Sequence, residues 1–276
     1  MKRLTEFFAG LCLSACGLTA LAQQPTEGVM QPPKVLVVHR EFIKPGKAGA
    51  VHVKSESAFI QAMTDAKWPT HYFAVTSLSG PSRALFIMGY DSFDAWEKDN
   101  LAMMKDAKLS AAFDNAALAD GELLSGYDDN VAVYREDLSY HAGVNIARMR
   151  YFEISRYVVR PGHRKEWEAL VKEYMNGYQK GVPDVHWAVF ESVYGQDNGG
   201  VYLVFIPLKS LSELDHFSAE SKNFEAAVGE AGMKRIEDLT ASCIESSQTN
   251  LFAFDPRMSY PAETWVKADP DFWSTK

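Results

Sequence analysis

Apolar and polar positions follow the same succession of periods twice along the chain. In the second half, Arg150 to Val159 is rich in Tyr, Phe, Ile and Val and predicts a strand, ended by Pro161-Gly162. Trp167, Leu170, Val171, Tyr174, Met175 and Tyr178 then recur every three to four positions, one face of a helix over about 164–180 that Gly181 and Pro183 stop. Residues 186–194 and 201–207 read as two strands around a Gly195–Gly200 turn. Ser210, with Glu213 three residues on, has the form of a capping box for the next helix. Further helix follows over about 223–246, and Leu251 to Phe254 is a short closing strand. The first half predicts the same order: strand 34–43, a helix to about Ala66, strands 72–79 and 83–90, a Ser92-capped helix, more helix to about Leu124, and strand 130–135. The inner face of its first helix reads as Val51, Ser55, Ala58, Phe59, Ala62 and Met63.

The two halves also match in words. R-E-F-I-K-P-G at Arg40 faces R-Y-V-V-R-P-G at Arg156, and H-Y-F-A-V at His71 faces H-W-A-V-F at His186. N-V-A-V-Y-R-E-D-L-S-Y from Asn130 faces N-L-F-A-F-D-P-R-M-S-Y from Asn250. These offsets of 115 to 120 residues are too long for a solenoid repeat and imply a duplicated domain. The expected organisation is a leader over 1–22, a linker over 23–33, one copy over 34–140, a linker over 141–147, a second copy over 148–260 and a tail over 261–276. Each β-α-β-β-α-β copy predicts an α+β ferredoxin-like unit with helices on one sheet face. The other face needs a cover, and the sheet of the second copy supplies one, sheet to sheet.

The strand-Pro-Gly-helix opening, the H-W-A-V-F strand and the S-L-x-E-L-x-x-F…F-E-A-A-V run from Ser210 to Val228 resemble the dimeric α/β-barrel superfamily. That group includes antibiotic-biosynthesis-monooxygenase-like and NIPSNAP-like proteins, and the likeness covers both halves. It implies an intrachain α/β barrel, and is most similar to exported bacterial tandem proteins without assigned chemistry. Haem-degrading relatives use a histidine on the second helix, near its F-x-x-A-like end; Phe224 to Val228 and Ala111 to Asn115 contain none.

The first residues add a destination. Met1-Lys2-Arg3, an apolar run from Phe7 and Ala20-Leu21-Ala22 have the parts of a secretory signal peptide, implying a periplasmic or secreted protein. Leu13-Ser14-Ala15-Cys16 offers lipidation at Cys16 as the lesser alternative. No other apolar run approaches spanning length. The whole chain carries a net charge of −8 without a Lys/Arg cluster, which argues against nucleic acid as partner. Cys243 alone remains after the leader, so no intrachain disulfide is expected and a buried thiol is the simplest reading.

No G-x-G-x-x-G, P-loop, H-E-x-x-H, C-x-x-C or G-x-S-x-G motif is present, and no cofactor or metal set is implied. Two readings follow. The first is an exported module, structural or binding a small, partly apolar ligand, with His71, Arg40, Trp187 and Tyr72 as candidate contacts and a homo-oligomer left open. The second is a cofactor-independent monooxygenase- or isomerase-like enzyme. In it Arg156 binds an anionic substrate, His186 is the acid-base group and Glu191 orients it. Tyr140 and Tyr260, which end the matching L-S-Y and M-S-Y segments, are expected to lock strand ends. Any specific activity is expected where the halves differ.

Overall fold

The computed structural model describes residues 28–195 and 199–274. The leader and Cys16 lie outside the described residues. The elements in order are β1 (Val35–Ile43), α1 (Ala50–Ala66), β2 (Tyr72–Ser77), β3 (Arg83–Tyr90), α2 (Phe93–Lys105), α3 (Ala107–Gly121) and β4 (Leu124–Tyr134). Then come β5 (Tyr151–Val159), α4 (Arg164–Gly181), β6 (Ala188–Tyr194), β7 (Val201–Leu208), α5 (Phe217–Cys243), β8 (Ile244–Phe254) and the short helices α6 (Glu263–Ala268) and α7 (Pro270–Trp273). The eight strands close into one antiparallel barrel in the order β1-β3-β2-β8-β5-β7-β6-β4. The protein is therefore an α+β barrel built within one chain. Among the described residues no helix is long and apolar enough to cross a membrane.

Two compact units make up the chain. Of the described residues, one holds 33–134, 193–195 and 250–274; the other holds 28–32, 135–192 and 199–249. In the first unit, β1 runs between β3 and β4, with Arg40 opposite Leu85 on one side and Asp128 on the other. Helices α1 and α3 pack together, over a core that includes Met63, Trp68, Tyr72, Phe86 and Leu109. In the second unit α4 lies on β5 and β7, where Trp167 meets Tyr157 and Tyr202. The close approach of α4 to α5 depends on small residues. A Cβ on Gly177 would come within 2.4 Å of the Phe224 ring, and one on Gly181 within 2.7 Å of the Asn223 carbonyl.

The M-S-Y and L-S-Y segments act as paired locks. Ser259 donates to the Asp255 carbonyl at 2.7 Å and accepts the Ala74 amide at 2.9 Å. Ser139 does the same with the Arg135 carbonyl and the Val189 amide, at the same two distances. Tyr260 then bridges to Tyr72, and Tyr140 to Trp187. Each hydroxyl satisfies a buried strand amide that the ladder leaves over.

Some boundaries differ from the pattern. The closing strands begin earlier than expected, at Leu124 and Ile244, because their first halves are largely exposed and carry no apolar alternation to read. The helix expected over 223–246 is α5, begun at Phe217 and broken at Gly229, whose φ of 72° is non-helical. Ser210 caps a short 3-10 turn instead of the helix itself. Cys243 is fully buried, and burial raises its thiol to about 11.

The face of α1 is the informative correction. Val51 and Ala58, expected inside, are exposed, and the buried positions are His52, Glu56, Ala62 and Met63. An apolar-face reading passes over His52 and Glu56 because they are polar. At an offset of 115, His52 and Glu56 correspond to Trp167 and Val171 on α4, both fully buried.

Candidate functional site

The buried polar residues of α1 meet two others. Glu41 stands on β1 opposite Ala84, on the strand face that α1 covers. His52 and Glu56 are one helical turn apart on α1, and Asp120 lies in the last turn of α3. All four are at most 4% exposed. Their ligand-capable atoms lie within 4.8 Å of one another, and among the described residues they form the group of three or more His, Cys, Asp or Glu side chains that could hold a metal ion.

The hydrogen bonding inside this cluster is incomplete. His52 Nε2 lies 2.8 Å from Glu41 Oε2, a good bond in which the ring N–H donates. The same nitrogen is 3.6 Å from Glu56 Oε1 and 3.7 Å from Asp120 Oδ1, too far to serve either. One N–H cannot satisfy three acceptors, and the buried Glu56 Oε1 and Asp120 Oδ1 have no donor beyond the carboxyl proton that Glu56 can share with Asp120. No lysine or arginine neutralises the group among the described residues.

The electrostatics follow from crowding. Burial, then the Glu41 and Asp120 charges, push Glu56 up to about 10. Burial and Glu41 also raise Asp120, against a Ser55 hydrogen bond. Burial alone would raise Glu41, but bonds from His39 and His52 outweigh it and hold it below the usual carboxylate range. His39 sits nearer the surface, 2.8 Å from Asp129 and 3.4 Å from Glu41. Burial opposes its charging, yet these two carboxylates raise it to about 8. Phe86 and Tyr72 form an aromatic wall beside the cluster.

The residues singled out by sequence are placed otherwise. Arg156 lies opposite Leu203, whereas Glu191 lies opposite Tyr202, the neighbouring position on β7. Adjacent strand positions point to opposite faces, so the two side chains are turned apart. Glu191 faces the α4 side and pairs with Arg135 at 2.7 Å and Arg164 at 3.2 Å. His186 donates from Nδ1 to the His141 carbonyl at 2.8 Å. The expected triad of His186, Glu191 and Arg156 is thus not assembled. Arg40 forms a two-pronged ion pair with Asp128. His71 stacks on Tyr260 at 4.8 Å, and burial lowers its pKa. Trp187 is fully buried and donates to the Leu138 carbonyl, so it serves packing. Tyr72 is buried beside the cluster, where burial, then Glu56 and Glu41, raise its hydroxyl pKa.

Sequence reasoning missed Glu41, His52, Glu56 and Asp120. The available signal was a histidine and a glutamate four apart on a helix, at positions that the other half fills with Trp167 and Val171.

No protein family model and no curated protein matches this sequence. Solved structures do. A candidate monooxygenase from Fusobacterium nucleatum subsp. nucleatum is similar with a TM-score of 0.53 at 11% identity, over 82% of this chain and 94% of that one. An anthrone oxidase-like protein matches with a TM-score of 0.50 at 12% identity, over 80% and 91%. A candidate chlorite dismutase matches with a TM-score of 0.50 at 11% identity, over 82% and 96%. At this identity the likeness defines the fold: the chain shares the α+β barrel of these proteins.

Proposed function

We propose that this protein is an exported, small-ligand-binding α/β barrel whose ligand site is the Glu41–His52–Glu56–Asp120 cluster. The observation that carries the reading is the pair of buried carboxyl oxygens, on Glu56 and Asp120, that no N–H and no hydroxyl serves. Each such group costs about 1–3 kcal/mol, and folding alone gives no reason to keep two of them side by side. The reading is supported by the α4 positions at an offset of 115, Trp167 and Val171, which are apolar and fully buried. A group retained at a loss of stability is expected to do something else. The neighbours described as a monooxygenase, an oxidase-like protein and a chlorite dismutase support a barrel that accommodates small-molecule chemistry, though fold does not set function. Export is supported by the basic, apolar and A-x-A succession of residues 1–22.

The test is a thermal-shift screen of small ligands and ions on wild type, Glu56→Gln and Asp120→Asn. The expected outcome is a ligand that stabilises wild type and fails to stabilise either variant. Hits that stabilise all three proteins equally would remove the cluster as the site.

A further inference from the structure

Resting on that ligand-binding reading, the geometry points to a divalent-cation site formed by Glu41, His52, Glu56 and Asp120. Size comes first. Four ligand atoms within 4.8 Å of one another leave space for a single ion and none for an organic molecule between them. Charge agrees: three crowded carboxyl groups beside one imidazole disfavour an anion, and Glu56, which holds a proton in the ion-free protein, can give it up to a cation that takes its place. The nearest cationic side chains do not supply one: His39 bonds Glu41 and Asp129 and does not reach Glu56 or Asp120.

Donor chemistry narrows the ion. One imidazole nitrogen and three carboxylates suit Mn²⁺, Fe²⁺ or Zn²⁺. Ca²⁺ takes 6–8 oxygens and Mg²⁺ keeps several waters, so both fit a mixed, closed set less well. Metal–ligand bonds of about 2.1 Å place ligand atoms about 3 Å apart when adjacent and about 4.2 Å apart when opposite. Around His52 Nε2 the separations of 3.6 and 3.7 Å fall in this range and that of 2.8 Å lies just below it; every pair is within 4.8 Å, so no pair has to close by more than about 0.6 Å. A cation would also engage Glu56 Oε1 and Asp120 Oδ1, the two buried oxygens that no N–H or hydroxyl serves. The donors come from regular elements, β1, α1 and α3, which hold them without help from a loop.

The full-length mature protein, stripped with EDTA and dialysed, is titrated with Mn²⁺, Zn²⁺ and Ca²⁺, and bound metal is counted per chain by elemental analysis. Co²⁺ substitution gives a visible spectrum that reports nitrogen and oxygen coordination. One Mn²⁺ or Zn²⁺ per wild-type chain is expected, with a rise in melting temperature. Binding should weaken at least about tenfold in Glu56→Gln and in Asp120→Asn, which keep side-chain size and so leave the fold intact. No cation bound by wild type overturns the proposal, as does binding that both variants retain. If a non-metal compound stabilises wild type but neither variant while no cation binds, the cation assignment falls and the ligand site stands. If neither happens, both fall.

Discussion

At the scale of single residues, two buried glutamates differ in kind. Glu56 lies among Glu41, His52 and Asp120, and its loss should expose a conflict between stability and binding. Glu56→Gln keeps the shape and can donate its amide to Asp120. The ion-free variant is therefore expected to melt at or above the wild-type temperature while its ligand response disappears. A melting temperature clearly below wild type would make Glu56 a structural residue. Glu153 has no such company. It is 5% exposed on β5, and burial alone raises it to about 8 from an ordinary 4.5. Below pH 4.5 both folded and unfolded chains carry its proton. Between 4.5 and 8 only the unfolded chain releases it, so stability falls as pH rises through that window and levels off above 8. Glu153→Gln removes this loss, and its advantage over wild type should grow from near zero at pH 4.5 to roughly 2–4 kcal/mol at pH 8. Urea melts across pH 4.5–8 check this; a constant difference would show that Glu153 is solvated or partnered.

At the scale of elements, the locks that end the two matching segments should behave as a pair. Removing the hydroxyl of Ser259 or Ser139 strands a buried amide, of Ala74 or Val189, and each alanine variant is expected to cost about 1–3 kcal/mol in denaturant melts. A null effect at either serine would mean that solvent reaches that amide. Gly195 is a sharper case. Its φ is +83°, and an added Cβ would meet the Asp129 carbonyl at 1.9 Å, so Gly195→Ala should destabilise by more than the ordinary cost of a left-handed alanine. Most of these elements were legible beforehand, since α4 shows its periodic face openly and Ser92 accepts the Ala95 amide as a capping residue should. The polar starts of β4 and β8 were not, because pairing without burial leaves no alternation to read. The site was hidden for a related reason. Burying His52 and Glu56 breaks the apolar stripe of α1, so the stripe is read one position away, at Val51 and Ser55. Arg156 and Glu191 failed as a pair because strand register cannot be counted from one sequence. A shift of a single residue on β7 turns one of them to the other face.

At the scale of the molecule, the barrel and its helices explain where chemistry can be held. Each helical layer covers a strand face, and in one layer that space is filled by Tyr157, Trp167 and Tyr202. The other layer places Glu41, His52, Glu56 and Asp120 at comparable depth. The proposed cation site accounts for that difference in filling. The most direct measurement is anomalous diffraction from crystals of the protein grown with Mn²⁺. An anomalous peak bonded to His52 Nε2 and to the carboxylates of Glu41, Glu56 and Asp120 is predicted. A cluster with no peak in fully Mn²⁺-exposed crystals, its carboxylates bonded only to one another and to water, would contradict the account.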